Sequence, residues 1–310
     1  MTGGAGFIGS HLVDALAVRG DDVLVLDDLS SGKRENLAGA LEAGAKLTEL
    51  DVVDAGSVFE AIEAFEPASV FHLAAQIDVR RSMADPGFDA RLNVVGTVNV
   101  LEGAARAGAS RFVFTSTGGA IYGEGAERPD ELPFAETAPC EPFSIYGQSK
   151  FAAEGYIDLY ARTRDLATGT LRLGNVYGRR QDPATEAGVV AIFCELARDG
   201  GNPTVFGTGE QTRDYIHVAD VVDALLAMEK SGDTGPLNAG TGEETSVLEL
   251  ARRIGELAGR DDFEPELAPA RAGEIERTVL DTTLAAERLG WRAKRTIADG
   301  LAETLAAEAV

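Results

Sequence analysis

Lysine is scarce in this 310-residue chain: Lys33, Lys46, Lys150, Lys230 and Lys294 stand against 51 acidic side chains, and the formal charge is −23. That balance excludes a partner that would want a broad basic face, so neither nucleic acid nor an anionic membrane surface is expected. Any anionic ligand must be met by local cations within an acidic protein. Excess carboxylate with few lysines also suits a protein kept hydrated at high salt. Cysteine and histidine are nearly as sparse. Cys140 and Cys194 stand alone, no CxxC occurs, and His11, His72 and His217 are scattered. Reduced thiols, structural histidines and no metal site are expected. No apolar run approaches the ~20 residues that span a bilayer, and no stretch reads as a signal peptide. A soluble, cytoplasmic protein is the expectation.

What the chain does hold is enough apolar material, 45% of residues, to build a sizeable core. Short β-branched runs alternate with helix-length segments, the pattern of βαβ units and a parallel sheet. "DVLVLDD" (Asp22–Asp28), "AKLTELD" closing on Asp51, "SVFHLAA" (Ser69–Ala75), "RFVFTST" (Arg111–Thr117) and "TGTLRLGN" read as strands. The spacing predicts helices over "FIGSHLVDALAVRG", over Ala84–Ala107, and from about Tyr146 to Arg164. Beyond Tyr177 the alternation loosens. The expected architecture is an α/β, Rossmann-type doubly wound parallel sheet over residues 1–176, with a smaller C-terminal substrate-binding part over 177–310. A segment such as 211–240 is expected to return to the first domain.

Two constellations carry chemistry. The first is the opening "MTGGAGFIGS", in which Gly3, Gly6 and Gly9 fit G-x-x-G-x-x-G ahead of an amphipathic helix ending at Gly20. Such glycines permit a tight turn and let backbone N–H groups approach a pyrophosphate at a helix N-terminus. Asp27, eighteen residues after Gly9, ends the next strand, where a carboxylate can accept both ribose hydroxyls and repel a 2′-phosphate. NAD is therefore favoured over its phosphorylated relative. Asp51, at the end of the following strand, either reaches the adenine or is a solvated strand end. The second is "SIYGQSK". Tyr146 and Lys150 lie four apart at a helix start and share a face. An ammonium beside a phenol lowers its pKa from ~10 toward neutrality, which would equip Tyr146 as a general base toward a sugar hydroxyl. "FTSTGG", about thirty residues upstream, puts Ser116 and Thr117 at the C-terminal end of a parallel strand, where ligands bind in open α/β sheets.

In order along nearly the whole chain stand "GGAGFIGSHL", "LDDLSSGKRENL", "HLAAQ", "FTSTGGAIYG", "YGQSK", "GNVYG", "RDYIHVAD" and "NAGTG". This ordered set resembles the extended short-chain dehydrogenase/reductase family, and within it the epimerases that act at C4 of UDP-sugars. The resemblance implies that Tyr146 is the base, that Lys150 binds the nicotinamide ribose, and that Thr117 hydrogen-bonds the reacting oxygen, with Ser116 as the alternative. It implies further that Phe7 and Ile8 line the pyrophosphate, with Asp27, Asp28, Asp51, Val52, Leu73, Ala74, Ala75 and Asn93 around the rest of NAD. Asn175, Arg213 and Arg271 match positions that hold the nucleotide diphosphate, and Glu274 is counted with them among the substrate-binding residues. Two arginines there make physical sense as bidentate cationic contacts, although Arg213 could instead pair with its neighbour Asp214. The implied substrate is a UDP-sugar, UDP-glucose or UDP-galactose, passing through a 4-keto form. Family members usually form homodimers, and the helices Ala84–Ala107 and Tyr146–Arg164 would build that interface.

Two neighbouring activities fit less well. The 4,6-dehydratases carry an Asp-Glu pair after the strand-end Thr, where this chain has Gly118 and Gly119. A uronate epimerase often has an Arg where "GRRQDP" places Asp182. Thr278 falls where some members carry a bulky tyrosine beside the sugar, so N-acetyl forms of the substrate are admitted. A non-catalytic NAD-binding regulator would not need Tyr146, Lys150 and Thr117 together. Finally, related sequences carry about four apolar residues before the Thr-Gly-Gly, forming a central strand. Only Met1 precedes it here, so the first strand is expected to be cut short, leaving a gap between buried neighbours that an apolar extension would close.

Overall fold

Apart from the exposed edge run Lys46–Glu49, the β-branched runs of the first half form strands buried on both faces, as a parallel sheet covered by helices on two sides requires. The computed structural model describes residues 1–183, 188–270 and 275–306. Five strands come from the first half: β1 (Leu24–Asp27), β2 (Lys46–Glu49), β3 (Ser69–His72), β4 (Arg111–Thr117) and β5 (Ala167–Leu173). Later come β6 (Asn175–Tyr177), β7 (Thr204–Phe206), β8 (Thr212–Arg213), β9 (Tyr215–His217), β10 (Pro236–Ala239), β11 (Thr245–Ser246) and β12 (Glu266–Ala268). β1 pairs with β2, and β3, β4, β5 and β10 form a second parallel ladder.

Met1 and Thr2 join the two ladders. Thr2 bridges Leu26 of β1 and His72 of β3, both in parallel sense. Leu26 N donates to Met1 O at 2.8 Å, Thr2 N to Phe71 O at 3.0 Å, and Leu73 N to Thr2 O at 3.2 Å. The buried Met1 amine donates to Leu24 O at 2.6 Å. Counting this two-residue segment as a strand, the order is the doubly wound one, reversing at the segment that leads into the glycine loop, where such sheets bind their ligands.

Strand periodicity divides the core. Val25, Val113 and Leu171 face one cluster with Leu12, Val13 and Leu16 of the Phe7–Arg19 helix and Leu225 and Met228 of the Val218–Ser231 helix. Leu26, Phe112 and Phe114 face the other, with Val58, Ile62, Val100 and Ile157. A third cluster, built on Tyr177, Phe193, Leu250, Ile254 and Leu301, holds the helices Val189–Asp199, Val247–Ala258 and Ile297–Leu305 together.

One helix differs from expectation. Instead of a single helix over Ala84–Ala107, the chain makes short helices Val79–Ala84 and Pro86–Ala90, a π-helical turn Arg91–Val95, and a helix Gly96–Arg106. The cause is local. Pro86 cannot continue a helix because it lacks an N–H, and Asp85 starts the next one by accepting from Phe88 N at 2.9 Å. The π turn is a one-residue insertion of the kind that re-aims side chains at functional sites. Here Asn93 lies within it and points into the core, 1% exposed.

Candidate active site

A cavity of about 790 Å³ runs along the C-terminal ends of the parallel strands. One end is the glycine loop. Gly3 has φ +69°, and a Cβ there would lie 2.5 Å from Ala74 N; a Cβ on Gly9 would lie 2.0 Å from Gly3 O. Those two glycines let the loop fold onto β3 and onto itself. Gly6 differs: the nearest atom to its would-be Cβ is Gly3 O at 3.4 Å, and the residue faces the cavity. No side chain caps the helix that begins at Phe7, so its first-turn N–H groups suit an anion. Asp27 closes this end. Its Oδ2 accepts from Ala5 N at 2.8 Å and its Oδ1 from Leu29 N at 3.0 Å. Burial pushes its carboxyl above the usual carboxylate range. Phe7, Ile8, Asp28, Asp51, Val52, Leu73, Ala74 and Ala75 line the same end. A loop that leaves room at Gly6, a bare helix start and an acid at the next strand end fit a dinucleotide.

At the other end, β4 delivers Ser116 and Thr117, and the Ile145–Thr163 helix delivers Tyr146 and Lys150. Ser144 fixes where that helix begins by accepting from Gly147 N at 3.0 Å, an N-cap that satisfies a free first-turn donor. The Thr117 side chain acts on the Tyr146 phenol, lowering its pKa against the effect of burial, whereas Ser116 Oγ is buried without a partner. Of the two candidate hydroxyls, Thr117 is the one facing the phenol. Lys150 Nζ donates to Thr115 O at 2.9 Å and lies 4.5 Å from the centre of the Phe114 ring.

The expected low pKa of Tyr146 is not found in this arrangement. Burial pushes the phenol up to about 12, against a lowering by Thr117, and brings the Lys150 ammonium down to about 7. The ammonium is engaged by a carbonyl rather than by the phenol, and desolvation disfavours both charged forms.

Toward the second lobe, Asn175 and Arg213 line the cavity. Arg213 Nη1 donates to Thr212 O at 2.8 Å. Asp214, rather than taking up that guanidinium as a salt-bridge partner, is buried and accepts from Thr241 N at 2.7 Å, Gly242 N at 3.1 Å and Leu280 N at 3.3 Å. Arg271 and Glu274 lie outside the described residues. Two expectations need correction. Thr278 is only 2% exposed, off the cavity wall, with its N donating to Thr212 O at 3.3 Å; its size alone does not open the sugar end. Asn93 stands behind the wall, its Oδ1 accepting from Gln76 N at 2.9 Å and its Nδ2 donating to Gln76 O at 2.9 Å and to Ser149 Oγ at 3.1 Å. Sequence reasoning missed Gln76, Arg80, Arg81, Phe143, Gln181 and Ile275, which also line the cavity. Gln76 closes the "HLAAQ" motif, and the rest carried no local signal. Asp182, neighbour of Gln181, pairs with Lys33 at 3.1 Å.

Gly118 and Gly119 follow Thr117 in a one-turn helix. A Cβ on Gly118 would lie 2.6 Å from Leu280 Cδ1, and one on Gly119 3.0 Å from Asn175 Oδ1. Neither position carries a carboxylate, and a side chain at either would have to displace Leu280 or Asn175.

A doubly wound sheet carrying a glycine loop, a strand-end acid and a Tyr-x-x-x-Lys helix defines a dinucleotide-dependent enzyme of the extended short-chain type. Residues 1–240 match the NAD dependent epimerase/dehydratase family, and the chain belongs to that family. It is 46% identical over 307 residues to a UDP-glucose 4-epimerase of Mycolicibacterium smegmatis, covering 98% of this chain and 96% of that protein. Among solved structures, the UDP-glucose 4-epimerase of Thermotoga maritima with UDP-glucose superposes with a TM-score of 0.93 at 43% identity, over 98% of this chain and 96% of the other. That of Thermus thermophilus in complex with NAD gives 0.89 at 42% identity, with the same coverage of both chains.

Proposed function

We propose that this protein is an NAD-dependent epimerase that inverts C4 of a UDP-hexose, interconverting UDP-glucose and UDP-galactose. The observation that carries the reading is that Thr117, Tyr146 and Lys150 share the wall of one cavity whose far end is the glycine loop and Asp27. NAD bound here would supply reversible hydride transfer at C4, the 4-keto sugar turning over between the two transfers, and would bring positive charge close to the phenol. Tyr146 takes the proton of the 4-hydroxyl and gives it back. Thr117 donates to the oxygen that changes charge, and Lys150 offsets the phenolate charge and holds the ribose. Gly3, Gly6, Phe7, Ile8 and Gly9 seat the pyrophosphate, and Asp27 takes the ribose hydroxyls. Asn175 and Arg213 hold the UDP diphosphate. Because hydride leaves and returns, no net redox occurs and the cofactor stays bound through the cycle.

The absence of an acid–base pair at Gly118 and Gly119 weighs against water elimination, and Asp182, paired with Lys33, is no cation for a sugar carboxylate. The domain assignment follows the chemistry: residues 1–176, with β10 and the Val218–Ser231 helix, hold NAD, and the remainder holds the nucleotide-sugar. Met83, Val95, Phe151, Tyr156 and Leu159 are exposed apolar residues on the 79–106 segment and the Ile145–Thr163 helix, which supports a homodimer joined by those helices. Two unpaired thiols are consistent with a cytoplasmic enzyme.

The test is incubation with UDP-glucose, UDP-galactose, their N-acetyl forms and UDP-glucuronate, without added NAD, following each product. Interconversion of the hexoses is expected, and Tyr146→Phe is expected to abolish it while retaining bound NAD. A dehydrated product, net NADH formation, or an active Tyr146→Phe would overturn the reading; sedimentation of the same preparation checks the dimer.

A further inference from the structure

Asp89 has no place in the reaction as described, yet it is a carboxylate with 0% exposure lying close to its centre. It sits in the short helix Pro86–Ala90, just before the π turn. Its Oδ2 accepts from Asn93 Nδ2 and from Gln76 Nε2, each at 3.2 Å, and its Oδ1 is buried with no partner. Asn93 Nδ2 also donates to Ser149 Oγ at 3.1 Å, and Ser149 in turn donates to Tyr146 O at 2.9 Å. One chain of hydrogen bonds therefore runs from Asp89 through Asn93 to the helical turn that carries Tyr146 and Lys150. Among the described residues no arginine or lysine forms a salt bridge with Asp89, while both Lys150 and Tyr146 feel its charge.

We propose that Asp89 is a positioning residue for the proton transfer: it holds Asn93 against the Tyr146–Lys150 turn and serves as the buried counter-charge of the Lys150 ammonium. A buried ion needs compensation within the same low-dielectric region. Two carboxylates are near enough to Lys150 to provide it, Asp89 and Glu154. Glu154 is already committed, since its Oε2 is 2.7 Å from Arg172 Nη2 in a buried ion pair. Asp89 is the carboxylate without a competing cation. The other groups around the pair do not replace it. His72 of β3 is held neutral by burial, Tyr146 is uncharged until it takes part, and Arg81 and Arg91, from the segments flanking Asp89, are exposed to solvent. Arg81 stacks on Phe88, its Cζ 4.0 Å from the ring centre.

The sign of the effect is distinctive. A carboxylate stabilises an ammonium and opposes a phenolate, so Asp89 raises the pKa of Lys150 and of Tyr146 alike. Its neutral isostere should lower both. The unpartnered Oδ1 makes Asp89→Asn a fair isostere, because the carboxamide oxygen can keep the bonds from Asn93 and Gln76 while its NH₂ takes the place of Oδ1. A merely structural role gives another pattern. If the substitution only loosened the packing, water would enter and both groups would relax toward their solution values, Lys150 upward and Tyr146 downward.

This inference rests on Tyr146 and Lys150 acting as proposed above, and two readouts separate it from that reading. The first is the rate of Lys150 acetylation against pH in the protein freed of NAD, followed by mass spectrometry, which the presence of only five lysines makes tractable. The second is the pH profile of kcat for the NAD-loaded enzyme with UDP-galactose. In Asp89→Asn the Lys150 midpoint should fall by about one pH unit, and both limbs of the kcat profile should move to lower pH. On the alkaline limb that is about a tenfold loss of kcat at fixed pH, with KM little changed. An unmoved Lys150 midpoint, or limbs that move apart, would overturn the proposal. If Asp89→Asn does not fold, Asp89→Glu decides, since it keeps the charge: wild-type limbs support the counter-charge role and displaced limbs refute it. Activity surviving in Tyr146→Phe would sink the catalytic reading instead, and the Lys150 midpoint would still report on Asp89.

Discussion

Replacing His72 by Asn should make the stability of the protein less sensitive to acid, by an amount the structure sets. His72 is fully buried on β3 between two hydroxyls: Thr2 Oγ1 lies 2.6 Å from its Nδ1 and Thr97 Oγ1 lies 2.9 Å from its Nε2. Thr97 spends its own proton on Asn93 O at 2.7 Å, so it accepts from His72 Nε2–H, and His72 Nδ1 accepts from Thr2. The neutral ring is thus fully satisfied and has no room for a second proton. Burial, with the nearby Lys150 charge, lowers its pKa from 6.5 to about 3. Because the folded value is depressed, the unfolded chain takes up the proton first as pH falls below 6.5. Stability is complete above that value and drains away as pH drops toward the folded value. Each pH unit inside the window costs about 1.4 kcal/mol, so from about pH 8 to about pH 5 this residue alone removes about 2 kcal/mol. Urea unfolding at several pH values reads the quantity directly. The wild type should lose about 2 kcal/mol more than His72→Asn over that range, whatever the variant's stability at neutral pH, since the other titrating groups are common to both. Parallel stability curves would refute the reasoning, and would mean that His72 accepts a proton in the folded state.

Two further substitutions test how the site is held. Glu154→Ala leaves the Arg172 guanidinium buried and without its carboxylate; a loss of about 3–5 kcal/mol in unfolding free energy is expected, and a loss below about 1 kcal/mol would show that the strand-to-helix ion pair is not what anchors β5. Gly118→Asp puts a Cβ 2.6 Å from Leu280 Cδ1, so a lowered melting temperature and an overpacking cost of about 1–3 kcal/mol are expected, with no gain of dehydratase activity; a stable variant that eliminates water would overturn the steric account.

The parts legible in the sequence were those where one physical rule decides position. In a parallel sheet the strand ends collect on one edge, so Gly6, Asp27 and Thr117 could be gathered from their places in the alternation, with Asp51 and Tyr146 added by the family resemblance, and all five line the cleft. The choice between Ser116 and Thr117 was open because "TSTGG" is one residue longer than the shortest form of this turn, which shifts the register; the effect of Thr117 on the Tyr146 phenol favours Thr117. Helical periodicity over Ala84–Ala107 could not reveal the π turn, because one inserted residue barely alters the apolar spacing while it turns Asn93 and Asp89 inward. Arg172 reads as an interruption in "TLRLGN"; only the fold brings Glu154, on a helix that packs across β5, into contact with it. The charge state of Tyr146 was beyond reach for a related reason. Four-residue spacing places Lys150 on the correct face, but depth of burial and the Thr115 carbonyl decide which charged forms survive.

The cleft also shows how a chain of charge −23 can hold a doubly anionic diphosphate. Its charges are unevenly spread: Asp27, Asp28 and Asp51 line one end, while the remainder holds Arg80, Arg81, Lys150 and Arg213 against Asp78, which pairs with Arg80. The surface carboxylates act at long range, and that repulsion is screened beyond a Debye length of about 8 Å at physiological ionic strength. Inside the cleft screening is weaker, so the few cations there count for more than the many acids outside. Such a field gives no steering to a nucleotide arriving from solution, and association should gain from added salt rather than lose by it. A seated ligand would be held by the first-turn N–H groups and guanidinium groups that line the cleft, so affinity should reside in slow departure. For a reaction in which hydride must leave and return within one binding event, slow departure is the property the chemistry requires.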